Sequence, residues 1–334
     1  MGDDARPAES KTGTTLTPEP ALTGPYGSAA SVAFSGQPTD FVYETGLELE
    51  ARSQWAFARR RFLRHRLAMT SLVMLLVMFA TGIFANFVAP YSFSAIDINA
   101  LAVKPTWHHL FGTDQAGRDY FSRVIYGIRT SERVALLVGF LSTLIGTIVG
   151  GLAGYYRGWI DNILMRITDL FLTLPLIAVL LTAAKYLGHG TPTQVALLLA
   201  AFIWTPIARI VRGIFLSLRE KDYVEAAKAS GSGDVRIMLR HMIPNAIGPI
   251  LVAATLTTGT AILLESALSF LGFGIQDPTP SLGTLISSGE DQGVRSWWLV
   301  TFPGITIVLV VLCINFIGDG LRDALDPTQR RVRA

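Results

Sequence analysis

Six apolar runs, at about 67–89, 134–154, 163–187, 194–216, 248–271 and 297–318, constrain this chain more than any other feature. Each holds about 20 residues or more, enough to cross roughly 30 Å of hydrocarbon at 1.5 Å per helical residue. Within a bilayer every backbone N–H and C=O must find a partner in the protein, so such runs fold as helices. The expected fold is all-α and polytopic, with six transmembrane helices. Composition agrees. Half of the 334 residues are apolar and 16% are charged, whereas a soluble domain carries about 25%; mean hydropathy is +0.43.

The regions between runs set orientation. The first 50 residues are rich in Pro, Gly, Ser and Thr and carry eight acidic residues against two basic ones. They cannot bury a core and read as disordered. Arg52, Arg59, Arg60, Arg61, Arg64 and Arg66 follow with no acidic residue among them. With the N-terminus in the cytoplasm, the inner flanks hold nineteen Lys and Arg and the outer side seven, from Lys104 to Arg133 plus Lys185 and Arg295. That bias places both termini inside. The first apolar run starts too late for a secretory signal peptide, and no small-residue cleavage site follows it. Cys313 is the single cysteine; it sits in the sixth run, where burial is expected and no intrachain disulfide is possible.

Catalytic signatures are missing. There is no phosphate-binding G-x-x-x-x-G-K-[ST] loop and no H-E-x-x-H zinc motif. Adjacent His108 and His109 read as a solvated loop rather than a metal site. Basic residues border apolar runs instead of forming a patch, which argues against nucleic acid. No catalytic or metal-binding residue is expected.

Several residues inside the runs carry open readings. Gly146, Gly150 and Gly154 form a small-residue stripe that lets two helix backbones meet closely, within this subunit or with a second one. Pro175 and Pro206 predict kinks. Asp169 and Arg166, three residues apart, read as an ion pair near the inner end of the third helix, and Lys185 as a residue that snorkels to water. Glu265 has no basic residue near it in sequence, so it either lines a pathway or has a buried structural partner.

The connector after the fourth run, REKDYVEAAKASGSGDVRIMLRHMIPN at 219–245, is long and charged. It predicts a helix from Glu220 to Ala229, a break at Gly231-Ser232-Gly233, and a second helix from Asp234 capped by Ser232 or Asp234. Small Ala226 and Ala227 admit a close partner, and Glu225 offers it a charge.

This connector resembles the EAA loop of ABC importer permeases, E-A-A-x-x-x-G followed after nine residues by I-x-L-P. Glu225, Ala226, Ala227, Gly231 and Pro244 match at the family spacing; Ile243 stands for the Leu, and His241 for the Ile, as is common in the peptide branch. HLFGTDQAGRDYFSRVIYG at 109–127, LSFLGFGIQDPTPSLGTLI at 268–286, and the WWLVTFPG and GDGLRDALDP stretches are similar to dipeptide and oligopeptide permeases of the DppC/OppC type. The resemblance spans about 56–330 and implies a type I (MetI-like) permease core. Its implied organisation is a cytoplasmic tail at 1–55, then a basic flank, first span and extracytoplasmic segment at 56–132. A five-helix core at 133–325 follows, with the coupling loop at 217–247, and a short cytoplasmic tail at 326–334. It further implies a multi-pass cytoplasmic-membrane subunit that binds no cofactor and imports di- or oligopeptides. The implied partners are a second permease (DppB/OppB-type), two ATPase subunits that use ATP and Mg2+, and an extracytoplasmic binding protein. Related importers of nickel or haem share these motifs. An ion-coupled secondary transporter is a separate alternative, disfavoured by the few candidate ion sites.

Overall fold

The computed structural model describes residues 54–188 and 190–325. The disordered-tail expectation, except for its last two residues, and the tail at 326–334 fall outside them. All regular structure among the described residues is helical, with isolated bridges at Thr113–Asp119 and Gly190–Ile275. The helices are α1 (Gln54–Arg64), α2 (Arg66–Ile83), α3 (Ala85–Val88), α4 (Tyr120–Tyr156), α5 (Gly158–Thr173), α6 (Leu176–Leu187) and α7 (Pro192–Ile203). They continue with α8 (Thr205–Arg219), α9 (Asp222–Ala229), α10 (Asp234–Ile237), a π-helical turn at Met238–Met242, α11 (Ile243–Phe270), α12 (Leu282–Glu290) and α13 (Trp298–Leu325).

Among the described residues, four helical stretches are singly long and apolar enough to span: α2, α4, the run from Asp234 to Phe270, and α13. Two bent pairs, α5 with α6 and α7 with α8, bring the number to six. The third apolar run is therefore not one helix. It turns by 87° between Thr173 and Leu176, where Leu174 precedes Pro175 and takes an extended ψ of 137°. The clash of a proline ring with the preceding residue disfavours helix there. The α7–α8 bend is 44°. Pro206 has no N–H for the Phe202 carbonyl, and the Thr205 hydroxyl donates to that carbonyl instead, at 3.3 Å. A similar repair serves Pro303 in α13. The Leu299 carbonyl it leaves free lies 2.9 Å from the buried Tyr120 hydroxyl, which also reaches the Leu285 carbonyl at 2.6 Å.

α4 begins fourteen residues before the expected start of the second span. Asp119 caps it by accepting from the Ser122 N–H at 2.8 Å, and the helix continues through Arg123, Arg129, Glu132 and Arg133, which broke the apolar pattern without breaking the helix.

The glycine stripe packs within this chain, against α8. A Cβ on Gly146 would lie 2.7 Å from Ile207, one on Gly150 2.2 Å from the Ala208 carbonyl, and one on Gly154 2.7 Å from the Arg212 carbonyl. The ascending match makes α4 and α8 parallel at van der Waals contact. α5 runs antiparallel to both. Its start is tied to the end of α8 by Arg157–Glu220 at 2.6 Å, and its end meets the start of α8 through Phe171 and Trp204 rings 5.8 Å apart. Between them Arg212 binds Asp161 through two nitrogens, at 2.5 and 2.6 Å. Asp169 pairs with Arg209 of α8 at 2.5 Å. The Arg166–Asp169 expectation is thus corrected: a guanidinium from the neighbouring helix reaches the carboxylate.

Candidate functional site

α9 is eight residues long and has two unlike faces. Val224 and Ala227 are buried in an apolar cluster with Tyr155, Phe215, Ile237 and Met242. Asp222, Tyr223, Glu225 and Ala226 are exposed. The helix begins two residues later than the pattern suggested and ends at Ala229 as expected. Its end is a Schellman motif: the Ser232 N–H donates to the Ala227 carbonyl at 3.1 Å, and the Gly231 N–H to Lys228 at 2.9 Å. Gly231 occupies the left-handed position with φ +78°. Beyond its chain neighbours, a Cβ there would meet no atom of the described residues within 4 Å, so the glycine answers a backbone requirement and leaves open space outside.

The second helix starts at Asp234, but Gly233 stands at its N-cap and no side chain caps it. The Ser232 or Asp234 cap is a correction, and its cause is visible. The Asp234 carboxylate instead accepts from the Tyr155 hydroxyl at 2.6 Å. The Tyr155 ring also faces the Lys228 ammonium at 5.3 Å and the Arg219 guanidinium at 5.9 Å. One aromatic residue at the end of α4 thereby touches α8, α9 and α10. Nearby, the Arg157 guanidinium holds the Glu220 carboxyl below its ordinary range. The chain then passes through the π-helical turn holding His241, whose carbonyl accepts from the Asn245 amide at 2.6 Å, to exposed Pro244 in the first turn of α11.

Glu225, Ala226, Gly231 and Pro244 are thus exposed on one connector, flanked by exposed Val235 and Leu239. Ala227 belongs to its buried face, and His241 is half-buried. Glu265 lies elsewhere, 24 residues past His241 and about 36 Å along the helix at 1.5 Å per residue. It is fully buried, with its carboxylate accepting from Ser131 and Ser269 hydroxyls at 2.8 Å each. Those hydroxyls in turn accept from the Leu282 and Ile275 N–H groups. Of the two readings open for Glu265, this closed joint between α4, α11 and the 271–281 loop fits the structural one.

At the opposite end, His109 is buried and bonds Asp119 at 2.9 Å. It belongs to the scaffold under α4 rather than to a solvated loop, while His108 is exposed. Among the described residues no group of three or more His, Cys, Asp or Glu stands together as a metal set. Cys313 is free and buried. Sequence reasoning passed over Tyr155 and Arg209. A doubled tyrosine closing an apolar run, and an arginine one turn after Pro206, were the signals.

Residues 146–331 match the family model described as binding-protein-dependent transport system inner membrane component, and residues 53–105 match the N-terminal TM domain of oligopeptide transport permease C. The oligopeptide transport system permease protein OppC of Mycobacterium tuberculosis is 40% identical over 287 residues, covering 85% of this chain and 98% of that protein. OppC of Haemophilus influenzae is 40% identical, covering 89% and 95%. The dipeptide transport system permease protein DppC of Alkalihalophilus pseudofirmus is 40% identical, covering 84% and 92%.

Proposed function

Since this chain belongs to the family of binding-protein-dependent transport system inner membrane components, we propose that it forms part of the passage by which an ATP-driven importer brings di- or oligopeptides into the cytoplasm. It is a membrane transport subunit rather than an enzyme. The peptide cargo is supported by what the relatives at 40% identity are named for. Both termini lie in the cytoplasm on the charge bias, so α9, α10 and the π-helical turn face the cytoplasm and the 89–119 segment and α12 face outward. The expected division at 1–55, 56–132, 133–325 and 326–334 is kept as a working description of the chain.

The observation that carries the coupling role is the connector's two-faced build. Its inner face is locked onto Tyr155 and the apolar cluster beneath α9, and its outer face, with Glu225, Ala226 and Gly231, is left open at the positions that match the EAA pattern. An ATPase subunit seated on that face would move the connector as a rigid piece, and α8 and α11 with it, since both emerge from it. ATP and Mg2+ would be held by two such ATPase partners. A second, similar permease would complete the passage, and an extracytoplasmic binding protein would deliver the peptide. Closure of the ATPase pair would open the permeases outward, and hydrolysis would return them inward.

The test uses the whole complex in proteoliposomes with its binding protein. Peptide uptake should require ATP and be indifferent to imposed ion gradients. Uptake driven by a proton or sodium gradient without ATP would reject the importer reading. A binding protein that retains nickel or haem, and no peptide, would reject the cargo.

A further inference from the structure

The exposed side of α5 carries two parallel stripes. Ile163, Ile167 and Leu170 form an apolar one at i, i+4 and i+7, with exposed Leu174 just past the helix end. Beside it, at the same spacing, stand Asn162, Arg166, Asp169 and Thr173. One helix face cannot suit both lipid and water, so adjacent stripes of this kind mark a boundary between them.

Depth decides what the polar stripe faces. Trp159, 72% exposed at the start of α5, marks the inner membrane interface. Asp169 lies ten residues further, about 15 Å along the helix and half of the roughly 30 Å hydrocarbon thickness. Its partner Arg209 sits equally far from the inner end of α8. Their side chains are 46% and 53% exposed, too deep to snorkel along lipid to the headgroups. Arg166, one turn below Asp169, is exposed and has no ion-pair or hydrogen-bond partner among the described residues. Arg166 lies seven residues, about 10 Å, from Trp159, and an unpartnered charge inside the hydrocarbon faces water or protein rather than lipid. Next to Arg209 on α8, exposed Gly213 leaves the groove open: beyond its own stretch of helix, none of the described residues comes within 4 Å of its would-be Cβ.

We propose that Arg166, Asp169, Thr173 and Arg209 line the water-filled passage, and that their net positive charge makes this the place where the carboxylate of a passing solute is held. The role rests on the import reading, and it assigns the passage surface to α5 and α8 rather than to Glu265. Arg209, paired with Asp169, and Arg166, whose charge is unpaired, would offer their N–H groups to a carboxylate, so an anion is favoured over a cation of equal size.

The experiment places single cysteines in a Cys313→Ser background of the assembled complex in proteoliposomes. Thr173→Cys probes the stripe, and Val77→Cys, on the exposed apolar face of α2, is the lipid control. Membrane-impermeant thiosulfonates should modify Thr173→Cys at least tenfold faster than Val77→Cys. With rates normalised to a free thiol, the anionic reagent should exceed the cationic one at least threefold. Adding Arg166→Gln, which breaks no ion pair, should erase that preference. Labelling of Thr173→Cys as slow as that of Val77→Cys would overturn the proposal, and so would fast labelling without charge preference. Loss of the import reading would show in ATP dependence and leave this labelling pattern unchanged.

Discussion

The two ends of the span bundle treat their charges differently. At the end assigned above to the outer side, Arg123 is 1% exposed and donates to Asp114 at 2.8 Å and to Asp277 at 2.9 Å, while Arg118 donates to Asp114 at 2.7 Å. Asp114 also accepts from the Ala116 and Arg118 N–H groups. The cluster joins α4, the 113–119 turn and the 271–281 loop; the Arg123 terminal nitrogens are paired within this chain, and its buried Nε has no partner among the described residues. The inner end is half complete. Tyr155 and the apolar cluster meet the inner face of α9, whereas Glu225, Ala226 and Gly231 are exposed. Buried, mutually satisfied charges fasten a structure; an ordered surface with its outer half unmatched is built for contact. Substitutions at the outer end should therefore cost protein, and those at the inner end should cost coupling.

The largest expected effect is at Arg123. Arg123→Met keeps much of the stem volume but leaves Asp114, 3% exposed, with one of its two arginines. Breaking a buried pair from one side costs about 3–5 kcal/mol. The amount of assembled complex in membranes should fall at least tenfold, with residual transport proportional to that amount. Near-normal assembly would show that the outer cluster is not a fastening, and the contrast between the two ends would collapse.

Gly231 should give the converse. Gly231→Asp should leave the helices inserted and the protein level normal, because no neighbouring described residue comes within 4 Å of the Cβ it would add. Holding a non-glycine residue at φ +78° costs roughly 1–2 kcal/mol, and Asp tolerates that region better than most residues. The greater part of the effect should therefore come from bulk and charge at the docked surface. Transport should drop at least tenfold, together with co-purification of the ATPase subunits and substrate-stimulated hydrolysis. Gly231→Ala, which carries the backbone cost alone, should be milder. Equal losses for the two variants would place the effect in the turn rather than in the contact.

This contrast was only partly legible in the sequence. The spans were, because hydrocarbon thickness sets their length and every backbone group must be paired. The connector was, because Gly231 and the break around it are local signals. The Gly146–Gly150–Gly154 stripe announced a close helix contact, but its partner, α8, depends on tertiary arrangement. Arg166 and Asp169 are spaced for an ion pair on one helix, yet the observed partner is Arg209, forty residues away. Such pairing has no local signature. Likewise the serines around Glu265 come from positions 131 to 281, and only Ser266 and Ser269 were near enough in sequence to suggest themselves. The bend at Pro175 was foreseen as a kink, but its 87° size was not.

Tyr155 tests the seam between the two regimes, because it belongs to a membrane helix yet holds the connector. Tyr155→Phe keeps the ring, and with it the contacts to Lys228 and Arg219. It removes the one hydroxyl bonded to Asp234. A hydrogen bond to a charged group contributes about 1.5–3 kcal/mol at the upper end of the range, and the exposed Asp234 can recover much of that from water. The net change should be near 1 kcal/mol, too small to lower the amount of protein. Its place matters more than its size. Freed from Tyr155, α10 should pivot more independently of α4, so docking should persist while the step from docking to movement weakens. The expected result is normal co-purification of the ATPase subunits with two- to fivefold lower transport per ATP hydrolysed. Lys228→Ala, which removes one cation from the same ring, should act in the same direction and more weakly. A Tyr155→Phe complex that loses its ATPase subunits would make the tyrosine part of the docking surface. One with unchanged transport per ATP would mean that the apolar cluster beneath α9 transmits the movement without it.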